Sequence, residues 1–480
     1  MQQQGDSLMK TQCNPSQLEF HALGRRKVVG KFDGGNITSD AGGLLLRETE
    51  KKTGIVRQFA KCFEDLRDPN RIEHSVKELV SQRVYGLALG YEDLNDHDDL
   101  RRDPLLAALV GKEDPGGETR VRKQDKGKAM AGKSTLNRLE LTPACPTETE
   151  KRYKKILMRE DEIDRLFVEV FLQAHAEAPK EIILDVDATD DPLHGNQEGR
   201  FFHGYYMNYC YLPLYIFCGE FLLCARLRSS NIDASEGTVE ELERIVEQIR
   251  AAWSEVKIIV RGDSGFCREK IMSWCESNGI NYVFGLAKNE RLKAIIDEEL
   301  QQAKRLYQAT MKPVRVYKDF YYETLKSWNR KRRVIAKAEH LDKGANPRFV
   351  VTSMERQRID AAILYERLYC GRGEMENRIK EQQLWLFADR TSAGKMRANQ
   401  LRLYFSSAAY MLMQALRRLG LKGTKMASAQ CNTIRLKLFK IGAQVKISVR
   451  KLWVSLASGY PYLGLFYQVY RNLQAATPRF

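Results

Sequence analysis

Glu181-Ile182-Ile183-Leu184-Asp185-Val186-Asp187 is the stretch on which the fold turns. Three apolar residues in a row followed by alternating acids read as a buried strand whose carboxyl end is charged. Period two puts Asp185 and Asp187 on one face. A carboxylate in such a strand is costly unless it is paired or holds a cation. A second strand of the same kind, Val256-Lys257-Ile258-Ile259-Val260-Arg261-Gly262-Asp263, also ends in an acid. Between them the pattern gives strands over 205–217 and 221–227 and a helix over 238–253. A helix near 269–275 and a strand over 282–286 follow. Three strands, then helix, strand, helix, strand, predict a mixed α/β sheet.

Outward from this core, Val76 to Leu89 has helical spacing, and Thr147 to His175 reads as one long amphipathic helix. Residues 1–24 read as a poorly ordered start. Residues 288–358 carry aromatic and β-branched runs between charged turns and read as a small β-rich insertion. A helix is expected from Tyr365 through Phe387. Glu376 lies on it, and with the two strand-end aspartates forms an oxygen donor set suited to two hard cations. Such a pair activates a water or a 3′ hydroxyl in phosphoryl transfer.

The chain has 480 residues, enough for roughly three domains, with 43% apolar and 29% charged residues. That is a globular composition, not a disordered one. Ten cysteines with no CxxC pair, several in apolar runs such as Cys218 and Cys224, fit a reducing cytoplasm. The start of the chain has no signal-peptide pattern. Leu452 to Tyr470 is free of charge but holds Gly459, Pro461 and Gly464, so it reads as buried core and not as a membrane span.

The formal net charge is +16, and it is uneven. Residues 391–480 hold fifteen Lys or Arg and no Asp or Glu, leaving +1 for the rest. Cations alternate with apolar residues through Ile434–Lys440 and Val445–Val454, which predicts folded elements with one charged face. A surface for the DNA phosphate backbone follows, with Arg435, Lys437 and Lys440 among its contacts.

Gly127-Lys128-Ala129-Met130-Ala131-Gly132-Lys133-Ser134 fits the phosphate-loop string. The mechanism also needs a buried strand leading into the loop, and Arg120–Lys126 is not one. No nucleotide is expected. His194 and His203 flank a Gly-rich loop without a zinc-spaced partner and read as loop histidines.

Taken together, Phe32 to Leu45, Ser134–Glu140, Leu184 to Gly195, Arg261 to Phe266 and Tyr369 to Lys380 resemble the DDE transposases of bacterial insertion sequences. The branch is the one in which a β-rich insertion separates the second Asp from the Glu. Within it, the chain is similar to the insertion-sequence family numbered thirteen-eighty. The resemblance implies a ribonuclease-H-like mixed sheet core (176–287) with a β-rich insertion (288–364). A mainly helical DNA-binding region (1–175) precedes it. The helix of Glu376 and a basic C-terminal DNA-binding region (365–480) follow. It implies catalytic, metal-holding roles for Asp187, which has Thr189 two residues on, Asp263 and Glu376. It also implies Mg²⁺, with Mn²⁺ as a substitute, and double-stranded DNA as partner, both the element's terminal repeats and the target. A homodimer on DNA and a cytoplasmic, nucleoid-associated location complete the expectation. Tyr369, Arg372 and Glu376 match a Tyr-x2-Arg-x3-Glu-x6-Lys signature, whose Lys position falls on Gln383 here. Lys380, one turn earlier, is the substitute. Arg372 is one turn from Glu376 and suits a DNA phosphate, and Tyr369 suits stacking on a displaced base. The readings from other classes are a non-catalytic DNA-binding repressor and a plain metal-dependent nuclease.

Overall fold

The computed structural model describes residues 17–478. Its centre is one twisted sheet, built from β1 (Glu181–Ala188), β2 (Leu214–Cys218), β3 (Phe221–Arg226), β4 (Lys257–Gly262), β5 (Asn281–Leu286), β6 (Val314–Tyr322), β7 (Arg332–Leu341) and β8 (Arg348–Thr352). The order across the sheet is β3-β2-β1-β4-β5-β8-β7-β6. The first three strands are antiparallel, β1, β4 and β5 run parallel, and the last three are again antiparallel. The mixed α/β expectation is met.

The apolar runs of β1, β4 and β5 are continuous because both faces of these strands are covered. On one face, Ile182, Leu184, Val186, Ile258 and Val260 pack against the helices Thr238–Ala252 and Glu269–Ser277. On the other, Ile259, Val283 and Val350 pack against Leu364 and Tyr365. Asp185 and Asp187 stand on this second face, beneath the helical segment that carries Glu376.

That segment is continuous from Ala361, widened by a π turn over Leu364–Tyr369, and enters α1 (Gly373–Leu386). It ends where Phe387 adopts a left-handed conformation at φ 61°. The helix α2 (Met396–Leu419) follows and is buried almost all round, as its small and apolar composition on every side requires. It forms one core with the N-terminal helices, among them Val76–Leu89, whose expected span is met and whose start is fixed by a Ser75–Glu78 capping box.

Several expectations need correction. Residues 17–23 are a strand paired with Arg26–Lys31, not an irregular start; residues 1–16 lie outside the described residues. The long helix expected over 147–175 is confined to Glu160–Ala174, because Ile156–Met158 pairs as a strand with Phe63–Asp65. The segment 288–364 opens with helices Glu290–Ile295 and Asp297–Thr310, and its strands extend the main sheet. Leu452 to Tyr470 is largely exposed, not buried. It is a hairpin strand, Leu452–Leu456, then the start of the helix Leu463–Ala475. Leu452, Val454, Tyr460 and Phe466 pack on a small cluster around Leu105 and Ile441, and Val469 is buried in the main core. The nine described cysteines are all unpaired. No helix among the described residues is long and apolar enough to cross a membrane.

Candidate active site

The parallel pairing of β1 with β4 sets the site. Asp185 lies opposite Arg261 and Val186 opposite Gly262, so the next residues, Asp187 and Asp263, emerge side by side at the carboxyl ends of adjacent strands. Register thus divides the two acids of β1 between two fates. Asp185 is buried and meets the Arg261 guanidinium in a two-pronged pair, Nη2 to Oδ2 at 2.7 Å. Burial pushes its carboxyl up, and Arg261 pulls it back. The remaining arm of Arg261 donates to the carbonyl of Leu368. Arg261 therefore ties β1, β4 and the segment entering α1 together. Gly371 leaves room for this arm: a Cβ there would lie 2.7 Å from Arg261 Nη1.

Asp187 has no such two-pronged partner among the described residues. Its Oδ1 accepts the amide of Ala188, at 3.0 Å. Asp263 caps a single helical turn, Ser264–Phe266, with Oδ1 accepting the Gly265 amide at 2.7 Å. The turn fits because Gly285 on β5 leaves room: a Cβ there would lie 2.6 Å from the Tyr369 hydroxyl and 2.9 Å from the Ser264 nitrogen. Glu376, on the first turn of α1, faces both. Arg372 sits between: Nη2 is 2.8 Å from Glu376 Oε1, and Nη1 is 4.0 Å from Asp187 Oδ2.

Burial is the largest cause that raises the Asp187 carboxyl, to about 7; Arg372 opposes it, and the negative charges of Asp263 and Glu376 add to it. The same carboxylates hold the Arg372 guanidinium up against its own burial. The site is thus a place where negative charge exceeds the cation present.

These residues line one cleft of about 570 Å³, together with Lys380 and Gln383. Lys380 is exposed at its edge. Gln383 is tethered, donating to the Asp190 carbonyl at 3.2 Å and to Asp191 Oδ1 at 2.8 Å. Of the two signature positions, the exposed one is therefore Lys380. The Tyr369 ring packs against Tyr365 at 5.6 Å.

The donor set is all oxygen and carries three charges, which fits hard divalent cations such as Mg²⁺. Among the described residues no three His, Cys, Asp or Glu side chains stand close enough together to hold a metal ion. Arg372 pairs with Glu376 and approaches Asp187, leaving the acids only partly compensated.

The basic C-terminal residues differ from expectation. Arg435 is buried and donates to the carbonyls of Ala88 at 3.0 Å, Leu87 at 3.1 Å and Trp385. It is not available to a phosphate. The stretch 434–439 is helical and not an alternating element, so alternation in sequence did not mean alternation in exposure. Lys440 pairs with Asp40 at 2.6 Å and stands over the Tyr91 ring. Lys437 lies over Tyr462, half-buried. Exposed cations of this region lie elsewhere, among them Lys446, Arg450 and Lys451 on the hairpin 443–456, and Lys422, Lys425 and Arg471.

In the phosphate-loop string, Gly132 precedes the helix Lys133–Glu140, a turn and not a strand leads in, and Lys133 is bonded to Asn95 at 3.1 Å. Sequence reasoning missed the aromatic turn His203–Tyr206, which lines the active cleft. The signal was present in Phe201-Phe202-His203-Gly204-Tyr205-Tyr206, but the strand expected over 205–217 absorbs the tyrosines, whereas residues 204–207 form a turn and the strand is Asn208–Tyr211.

The family model described as Transposase DDE domain group 1 matches residues 20–478. The chain belongs to this DDE transposase family. No curated protein gives a significant match.

Proposed function

We propose that the chain is a DNA transposase that binds the ends of its insertion sequence, cleaves them and joins the freed 3′ ends to target DNA. The core is read as ribonuclease-H-like, since its strand order and directions suit that fold, and the element as one of the family numbered thirteen-eighty. The observation that carries the reading is the convergence of Asp187, Asp263 and Glu376 on one cleft with Arg372 and Lys380 at its wall.

In this reading Asp187, Asp263 and Glu376 hold two divalent cations, Mg²⁺ in the cell. Bound there, the ions supply a nucleophilic oxygen at neutral pH and stabilise the leaving oxygen. The protein's own groups orient the DNA. Arg372 swings from the acids to the scissile phosphate, for which its fork of donors is suited. Lys380 steadies the neighbouring phosphate as a point charge, and Tyr369, outside the cleft lining, packs its hydroxyl against Gly285. Arg261 and Asp185 do not touch DNA; they keep the two strand ends and the glutamate helix in register. In the first reaction a water oxygen bonds to phosphorus and the 3′ oxygen leaves, taking up a proton. In the second, that 3′ hydroxyl bonds to a target phosphorus and a target 3′ oxygen leaves. The hairpin at Lys446, Arg450 and Lys451 supplies phosphate contacts to a protein that works as a dimer on two DNA ends.

The test is to incubate the protein with the DNA that flanks its own reading frame, a target plasmid and Mg²⁺. Joined product is expected. Cleavage without joining would favour a plain nuclease, and binding without either would favour a repressor.

A further inference from the structure

Between β1 and β2 the chain makes a small hairpin, Phe201–His203 paired with Asn208–Tyr211. Its outer surface is aromatic and exposed: Phe202 is 52% accessible, Tyr205 83% and Met207 72%, with Phe201 and Tyr209 also exposed. Such a cluster on a protein surface calls for a partner. Three observations say which.

First, the hairpin overhangs the acids. His203, Tyr205 and Tyr206 line the same cleft as Asp187, Asp263 and Glu376. Tyr206 pegs the tip down by donating from its hydroxyl to the carbonyl of Ala188, the residue after Asp187, at 3.3 Å.

Second, the tip is held rigid. Asn208 donates to Asp190 Oδ2 at 3.1 Å, Ser230 to the Phe201 carbonyl at 2.9 Å, and the turn closes through the Met207 amide on the His203 carbonyl at 2.8 Å. Met207 takes a left-handed φ of 55°, a conformation that costs a non-glycine residue and persists where the surroundings impose it.

Third, the electrostatic match is to a polyanion. The Arg200 guanidinium lies over the Tyr209 ring at 4.3 Å, and no acid occurs from Gly199 through Gly219. Lys380 and Arg372 line the same cleft. Phe202 and Tyr209 meet edge to face at 5.6 Å, and with Tyr205 they stay largely exposed to a flat guest.

We propose that this hairpin is a stacking platform for unpaired nucleobases of a DNA strand entering the cleft, a proposal that rests on the transposase reading above. Rigid aromatic faces beside cations are the general means of holding single-stranded nucleic acid without reading its sequence. A duplex hides its base faces, so the platform contributes only where the strand is opened next to the scissile phosphate.

The test compares the full-length parent with Phe202→Ala, Tyr205→Ala and Tyr209→Ala, in Ca²⁺ to prevent cleavage. The probes are a forked duplex with a short unpaired end and the same duplex fully paired, followed by fluorescence anisotropy. The parent should prefer the fork. Each alanine should reduce affinity for the fork by about tenfold, with much less effect on the paired probe, while Tyr205→Phe should keep the preference. Urea midpoints equal to that of the parent would confirm folding of these surface variants. A parent that binds DNA but treats fork and duplex alike, or alanine variants that keep the preference, would overturn the platform alone. Loss of self-association with fork binding intact would assign the face to a second copy and overturn it too. A parent that binds no DNA would overturn the transposase reading together with this one.

Discussion

The acids of the cleft and the cations of the C-terminal segment are both conspicuous in sequence, yet the fold uses them in opposite ways. Asp187, Asp263 and Glu376 share one strongly charged neighbour, Arg372, and remain accessible to a cleft. Several cations after residue 391 are consumed inside the protein, although Lys422, Lys425, Lys446, Arg450, Lys451 and Arg471 stay exposed. Arg397 pairs with Glu160, Arg402 with Glu140, Arg417 with Glu381 and Lys440 with Asp40. Each of these carboxylates lies earlier in the chain, so the acid-free segment closes the fold electrostatically onto regions already made. Charge left unbalanced by its surroundings points to function, whereas charge counted along the chain includes much that serves folding.

The strongest way to break this comparison is at the cleft. Asp187→Asn, Asp263→Asn and Glu376→Gln should each lower DNA cleavage and joining by at least about a thousandfold, since several kcal/mol of cation stabilisation is lost. DNA binding should survive, as gel shifts would check. Retained cleavage in all three would remove the cleft from the mechanism.

The next effect separates the two acids of β1 by stability. Asp185→Asn breaks a buried pair and leaves Arg261 uncompensated, which should cost about 3–5 kcal/mol in urea unfolding. Asp187→Asn should do the opposite. The folded pKa of Asp187 is raised to about 7 from 3.8, so ionised Asp187 opposes folding. The stability associated with its protonated form is complete below pH 4 and is lost as pH rises through 7. Relative to the parent, Asp187→Asn should therefore gain nothing near pH 3 and gain increasingly up to pH 8, by a few kcal/mol. Unfolding curves at several pH values decide it.

How much of this is legible in the sequence depends on distance along the chain. β1, β4 and the helix Val76–Leu89 are legible because each is a local apolar pattern. The acids Asp187, Asp263 and Glu376 are legible as strand-end and helix positions. The neutralisation of Asp185 is not, because it depends on the register that sets it beside Arg261. Nor is the burial of Arg435, because its partners at Leu87, Ala88 and Trp385 come from distant turns. The exposure of Leu452–Tyr470 escapes for a related reason: composition says a segment is apolar, not whether anything remains to cover it.

A smaller effect sharpens the C-terminal side of the comparison. Arg435→Met should destabilise by about 1–3 kcal/mol, because three buried carbonyls lose a donor. It should leave the salt dependence of DNA binding unchanged. Replacing Lys446, Arg450 and Lys451 by Gln should leave stability nearly alone and reduce the slope of log affinity against log salt by about one for each phosphate no longer neutralised. The smallest expected effect is none. Lys133→Ala, in a loop that no strand feeds, should leave joining indifferent to ATP, as in the parent; ATP stimulation that disappears in this variant would restore the phosphate-loop reading.

The central claim is that the three cleft carboxylates hold divalent cations when DNA is bound. Calorimetric titration of Mn²⁺ into the protein–DNA complex tests it directly, without relying on turnover. Two ions per chain are expected for the parent, and fewer for Asp187→Asn, Asp263→Asn and Glu376→Gln. An unaltered Mn²⁺ stoichiometry and affinity in those variants, or no binding in the parent complex, would contradict the account.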